Sequence, residues 1–182
     1  MSGGPAAGLR DDFGILCAAV REAAGVALGY FGTGAESWEK SPGHPVSTAD
    51  LAVEAILRER MLGERPGYGW LCEETPDDGR RLAHERVWIV DPIDGTRAFI
   101  RDVPEFAVCA ALVERGRPLA GAVANPAAGV TVEAVAGGGA RRNGMSCSVR
   151  ARRARWSGRW CWRAPRRYGK RRGPWPAPRS GR

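Results

Sequence analysis

Two carboxylates at the end of an apolar run are the side chains of this sequence best suited to chemistry. The run 87–90 reads VWIV, which predicts a buried strand, and Asp91 and Asp94 follow it. The proline between them fixes φ and has no N–H donor, so we expect the chain to leave the sheet there. Gly95 and Thr96 come next at a predicted helix start, where backbone N–H groups favour an anion. Hard oxygen ligands beside such a turn suit a metal-bound phosphate.

Three more carboxylates precede this turn. Glu73 and Glu74 end a predicted strand at 68–72, and Asp50 lies in the first turn of a helix predicted from Ser47 or Thr48 to about residue 62. An adjacent glutamate pair is usually a solvated loop, and the helix dipole alone favours an acid such as Asp50. One loop and one strand separate the glutamate pair from Asp91, so the two glutamates could lie next to the acidic turn and act as metal ligands.

The same residues carry a family resemblance. The run 91–99, DPIDGTRAF, resembles the signature of the inositol monophosphatase family, which comprises magnesium-dependent, lithium-sensitive phosphomonoesterases. The run 71–75, LCEET, resembles its paired-glutamate motif, and 46–54, VSTADLAVE, resembles its Thr-x-Asp helix start. The three motifs occur in the expected order, and the resemblance covers roughly residues 9–145.

The resemblance implies two Mg²⁺ sites. Glu73, Asp91 and the Ile93 carbonyl would hold the first ion, and Asp91 and Asp94 the second. In the family, the second ion also takes an aspartate from a Trp-Asp-x-Ala motif in a C-terminal lobe, which we do not find in this sequence. We therefore expect weak Mg²⁺ affinity, weak or absent turnover, and an exposed apolar sheet with poor solubility. A normal rate would contradict this expectation.

The resemblance also implies the catalytic groups. Asp50, Glu73 and Thr96 would be catalytic, with Thr96 bonded to the attacking water and Asp50 accepting from the Thr96 hydroxyl. The implied substrate-binding residues are Ile93, Asp94, Gly95 and Thr96.

Mg²⁺-dependent hydrolysis of a small phosphorylated metabolite is the function implied, inositol 1-phosphate first. Histidinol-phosphate phosphatase is an alternative, because the RAFI continuation at 97–100 also occurs in that branch. A 3'(2'),5'-bisphosphate nucleotidase is another. A homodimer is implied for an intact relative.

Charge divides the chain in two. Before Arg141 there are twenty Asp and Glu against thirteen Lys and Arg; from Arg141 onward there are fifteen Lys and Arg and no acid, so the overall +8 belongs to the tail. The tail at 146–182 is rich in Arg, Trp, Pro and Gly without periodicity, which predicts an unstructured segment. Three interpretations of the tail are open. It binds nucleic acid, as the tail of a catalytically inactive product, or it contacts anionic lipid. Alternatively, it is an out-of-frame translation of GC-rich DNA, and the C-terminal lobe is missing.

The remaining pattern predicts the architecture. A small, Gly-rich leader at 1–8 is expected to be disordered, a helix to cover 9–31, and a loop 35–45. Strands are predicted at 106–113, 119–124 and 130–135 as an antiparallel meander. The whole is an α/β (α+β layered) domain at 9–145 with a mixed, largely antiparallel sheet, like the N-terminal lobe of inositol monophosphatase and fructose-1,6-bisphosphatase.

The compartment is predicted from the cysteines. The five cysteines show no metal-ligand spacing and are odd in number, and no signal peptide or membrane-length apolar run is evident. We expect a cytoplasmic protein without a membrane partner.

Overall fold

The computed structural model describes residues 7–148. The predictions for most of the leader and for the tail beyond residue 148 lie outside the described residues. One helix, α1, begins at Ala7, so the leader predicted to residue 8 is two residues too long.

A seven-stranded sheet forms the centre of the described domain. Its strands, in the order in which they lie side by side, are β3 Gly69–Cys72, β4 Arg86–Asp94, β5 Ala107–Glu114, β6 Arg117–Asn125, β7 Val130–Val135, β8 Gly139–Arg142 and β9 Met145–Cys147. This order follows the chain, and within the described sheet only the β3–β4 pair is parallel. The predicted mixed, largely antiparallel sheet is therefore confirmed.

Two helices cover one face of this sheet. Helix α1 spans Ala7–Tyr30 and α2 spans Thr48–Glu64, close to their predicted ranges. The interface is made of the apolar residues that recur at helical spacing, with Leu16, Val20 and Leu57 fully buried in the same core cluster as Trp88 of β4. The two helices therefore hold the strands whose ends carry the acidic residues.

Helix α1 also has the length and apolar composition of a membrane span over Gly8–Tyr30. The expectation that no apolar run approaches that length is wrong for this segment. In the structure, its residues Leu16, Val20 and Ala23 are fully buried in the domain core, which explains its apolar composition.

Two predictions about local structure are corrected. The predicted loop at 35–45 contains a hairpin of β1, Ser37–Ser41, and β2, His44–Ser47. Its strands are short, and β1 is exposed throughout, so no alternation of apolar residues marked them. The sheet also continues through Pro92 to Asp94, because the register shifts between Asp91 and Asp94 and the missing N–H is tolerated.

The second face of the sheet is apolar and exposed in the described part of the chain. Ile89, Val123 and Val132 are 37%, 44% and 39% exposed, and they border a shallow cavity of about 690 Å³. This agrees with the expectation of an exposed apolar sheet.

Candidate active site

A cavity of about 220 Å³ lies where strands β3 and β4 end. A short helix, α3 (Thr96–Ile100), begins beside it, as predicted, and the β1–β2 hairpin closes its other side. The structure brings all the predicted metal-binding and substrate-binding residues to this one cavity. They are Glu73, Asp91, Ile93, Asp94, Gly95 and Thr96.

The parallel pairing of β3 with β4 explains why Glu73 meets Asp91. Cys72 is opposite Val90 in the register, so Glu73, which follows β3, and Asp91 of β4 lie at the same end of the two strands. The Glu73 amide donates to the Val90 carbonyl at 3.3 Å, which holds the two strand ends together. The Glu73 side chain is 55% exposed, while that of Glu74 is only 4% exposed. Glu73 is therefore the glutamate available to a ligand in the cavity.

Asp91 is the most strongly perturbed carboxyl group of the cavity. Burial, followed by the nearby carboxylates of Glu73, Asp94 and Glu74, raises its pKa to about 7. Negative charge is concentrated here beyond what the described residues neutralise. A bound cation would relieve this repulsion.

The turn after Asp94 depends on a glycine. Gly95 has φ of 91°, and an added Cβ would lie 2.7 Å from the Glu105 carbonyl oxygen. Its own carbonyl accepts the amides of Ala98 and Phe99 at 2.8 and 3.0 Å, which starts α3. Glycine at this position therefore sets the direction of α3 and of Thr96.

Thr96 connects the cavity to Asp50. Its hydroxyl oxygen lies 2.9 Å from the Ile93 carbonyl oxygen and 3.2 Å from Asp50 Oδ1. The hydroxyl has one hydrogen, so it donates to one of these acceptors at a time. If a cation used the Ile93 carbonyl, Asp50 would be the acceptor left to the hydroxyl.

Asp50 is fully buried at the start of α2, where it has a second contact. Its Oδ2 accepts from the Ser47 amide at 2.8 Å and the Ser47 hydroxyl at 2.6 Å. Burial raises the pKa of Asp50, and the donors from Ser47 and Thr96 oppose that rise. The predicted helix-capping role and the predicted catalytic role of Asp50 are therefore compatible, because Oδ2 caps α2 and Oδ1 faces Thr96.

Lys40 is a site residue that the sequence did not reveal. It lies on β1, lines the cavity, and donates to Glu74 Oε2 at 2.7 Å and to the Glu73 carbonyl at 3.2 Å. An ammonium group has three donors, so one remains for a ligand. A single lysine in a polar segment is not recognisable as a site residue from the sequence, because the hairpin that places it in the cavity was not predicted.

The donor set of the cavity fits Mg²⁺. It consists of three carboxylates and one carbonyl, and Mg²⁺ prefers hard oxygen ligands. Within residues 7–148, no three His, Cys, Asp or Glu side chains are already drawn together closely enough to form a metal cluster. The fit rests on the chemistry of the donors and on their common cavity.

Comparison with known proteins found a matching family and individual relatives. The model of the inositol monophosphatase family matches residues 10–162, so the match extends beyond residue 145, the predicted end of the resemblance. An inositol-1-monophosphatase of Rhizobium meliloti is 42% identical over 116 residues, covering 63% of this chain and 43% of that protein. A histidinol-phosphatase of Mycobacterium tuberculosis is 48% identical over 83 residues, covering 46% of this chain and 31% of that protein.

A solved structure shares the fold. The extragenic suppressor protein SuhB of Bartonella henselae has a TM-score of 0.70 and 32% identity, and the match covers 79% of this chain and 55% of that chain. The chain thus spans about half the length of the relatives it matches.

Proposed function

The chain belongs to the inositol monophosphatase family, and from this membership and its carboxylate cavity we propose that it hydrolyses a small phosphate monoester with Mg²⁺. The observation that carries the proposal is the meeting of Glu73, Asp91 and Asp94 beside the Gly95–Thr96 turn.

The metal-binding roles follow the donors present. Glu73, Asp91 and the Ile93 carbonyl would hold one Mg²⁺, and Asp91 and Asp94 a second. When bound, the ions would neutralise the phosphoryl oxygens, lower the pKa of the attacking water and stabilise the leaving alkoxide. Two protein carboxylates are few for an octahedral ion, so we expect the second site to bind more weakly than the first.

Thr96 and Asp50 would handle the proton of the attacking water. With its hydroxyl hydrogen directed to Asp50, the Thr96 oxygen is free to accept a hydrogen bond from that water. The amides of Gly95 and Thr96 and the third donor of Lys40 would contact the phosphate oxygens. These groups orient the water and the phosphate with respect to each other.

For the substrate, we propose inositol 1-phosphate first, supported by the inositol-1-monophosphatase that is 42% identical to this chain over 116 residues. Histidinol phosphate is the second candidate, supported by the histidinol-phosphatase that matches at 48% identity. A 3'(2'),5'-bisphosphate nucleotide is the third candidate, and no feature of the described residues favours it over the other two.

Two measurements test this function. Calorimetric titration of Mg²⁺ should show binding that disappears in Asp91→Asn, and phosphate release from inositol 1-phosphate should require millimolar Mg²⁺ and be inhibited by Li⁺. Parallel assays with histidinol phosphate and adenosine 3',5'-bisphosphate rank the substrates. Absence of both Mg²⁺ binding and phosphate release would refute the proposal.

Salt-dependent retention on DNA that requires residues 146–182 would instead favour the nucleic-acid alternative.

Asp50→Asn should lower kcat about 100-fold, because the amide removes the carboxylate acceptor that directs the Thr96 hydroxyl. The free energy of unfolding should fall by roughly 1 kcal/mol, since an amide oxygen can still accept from Ser47. Ser47→Ala is the matched control: it loses one hydrogen bond of the same cap at a similar cost in stability but leaves the carboxylate. Equal kcat values in the two variants would show that Asp50 only caps the helix.

We also propose a reducing, cytoplasmic setting for the described domain. Its four cysteines, Cys17, Cys72, Cys109 and Cys147, are free thiols. Burial raises the pKa of Cys17, Cys72 and Cys109 to about 12, so these three are unreactive at neutral pH.

A further inference from the structure

We propose that Arg97 is a positioning residue that fastens the tip of the β1–β2 hairpin beside the carboxylate cavity and so holds Lys40 in place. The part of this inference that concerns kinetics rests on the proposed phosphatase function. The part that concerns the hairpin does not.

The contact that carries the inference joins α3 to the hairpin turn. The Arg97 Nη2 donates to the Gly43 carbonyl oxygen, and Arg97 follows Thr96 directly in the first turn of α3. A guanidinium usually pairs with a carboxylate, but in the described residues Arg97 has no ion pair. Its charge is instead directed at the backbone of the turn.

Gly43 is shaped for this contact. It has φ of +79°, and a Cβ added to it would lie 3.2 Å from Arg97 Nη2. A side chain at this position would therefore be strained by the backbone and would crowd the guanidinium. The turn residue and the arginine fit each other.

The hairpin is anchored at the end of β2, where Val46 and Ser47 are buried, but β1 has few attachments. All five residues of β1 are exposed, so little apolar burial holds that strand. At its base, the Thr48 amide donates to the Glu36 carbonyl at 2.9 Å. Toward its tip, the attachments within the described residues are the Arg97 contact and the bonds of Lys40 to Glu73 and Glu74. Loss of Arg97 would leave Lys40 to hold the tip alone.

The consequence concerns the phosphate. Lys40 has one unused donor and lies in the same cavity as Asp91 and Thr96. A hairpin that moves away takes this donor with it but leaves the carboxylates and the Ile93 carbonyl on β4. Arg97 thus affects phosphate binding through Lys40 and leaves the metal ligands in place.

Hydrogen exchange of the Arg97→Gln variant tests the fastening. Amides of the hairpin, residues 37–44, should exchange about tenfold faster than in the parent chain, while amides of α2 and β4 keep their rates. Arg101→Gln is the matched control, because Arg101 directly follows the last residue of α3 and donates no hydrogen bond to the hairpin in the described structure. Arg97→Lys should restore part of the protection, since an ammonium can still donate to the Gly43 carbonyl.

Kinetics separate positioning from general destabilisation. In Arg97→Gln, the KM for the phosphate monoester should rise about fivefold, with kcat and the Mg²⁺ dissociation constant within about twofold of the parent. Hairpin exchange at the parent rate, or equal acceleration in Arg101→Gln, would overturn the inference. Absence of turnover in every variant would count against the phosphatase proposal, and the exchange result would still decide the role of Arg97.

Discussion

Asp91→Asn is expected to abolish phosphate release and, in the absence of metal, to make the protein more stable at pH 8. Asp91 is the one carboxylate proposed to contact both ions, so its loss removes a ligand from each. We expect kcat/KM to fall on the order of 1,000-fold or more, corresponding to several kcal/mol of transition-state stabilisation.

The stability effect has the opposite sign because the folded state raises the pKa of Asp91. The ordinary value is 3.8 and the folded value is about 7, so the folded protein binds more protons than the unfolded chain between these pH values. Metal-free stability therefore falls as pH rises through this window, and the cost is complete above it. Asparagine removes the charge. After allowance for solvent screening of a partly buried group, we expect a gain of about 1–2 kcal/mol at pH 8.

Urea unfolding with a chelator present, at pH 8 and at pH 4, measures this gain. The difference between parent and variant should be largest at pH 8 and small at pH 4, where Asp91 is mostly protonated in the folded protein. Asp78→Asn, at an exposed loop position, serves as the control and should change neither stability nor activity. A destabilised Asp91→Asn at pH 8 would mean that burial and the neighbouring carboxylates do not destabilise the charged form of Asp91.

The acidic turn was predictable because its chemistry is contiguous in the chain. Asp91, Asp94, Gly95 and Thr96 lie within six residues, and a strand followed by a helix start fixes their relation. Glu73 was placed with them by its position after a strand, and the parallel register of β3 with β4 now provides the physical reason. Local order along the chain therefore predicted most of the proposed site.

The hairpin was not predictable, because its role depends on contacts between distant residues. Lys40 reaches Glu74 across 34 positions, and Arg97 reaches Gly43 across 54. Both strands are short and β1 is exposed throughout, so no periodic apolar pattern distinguishes them from a loop. The continuation of β4 through Pro92 was missed for a similar reason: a shift in strand register absorbs the proline, and this shift depends on the partner strand β5.

Gly95→Ala is expected to destabilise the domain by about 3–5 kcal/mol and to disrupt the cavity. Two costs add at this position. A non-glycine residue at φ of 91° is strained by roughly 1–2 kcal/mol, and the added Cβ would lie 2.7 Å from the Glu105 carbonyl oxygen. That oxygen belongs to the backbone and cannot rotate away. The chain must shift either at Glu105 or at the turn that places Asp94 and Thr96.

Gly116→Ala provides a matched control. Gly116 has φ of +78°, but a Cβ added there would meet nothing within 4 Å. It should therefore show the conformational cost alone, roughly 1 kcal/mol by urea unfolding. The difference between the two variants isolates the contact with Glu105. Mg²⁺ titration then distinguishes which segment shifts in Gly95→Ala. If the turn moves, Mg²⁺ binding becomes weaker. Binding as strong as in the parent chain would mean that Glu105 moves instead, and it would contradict the expected damage to the cavity.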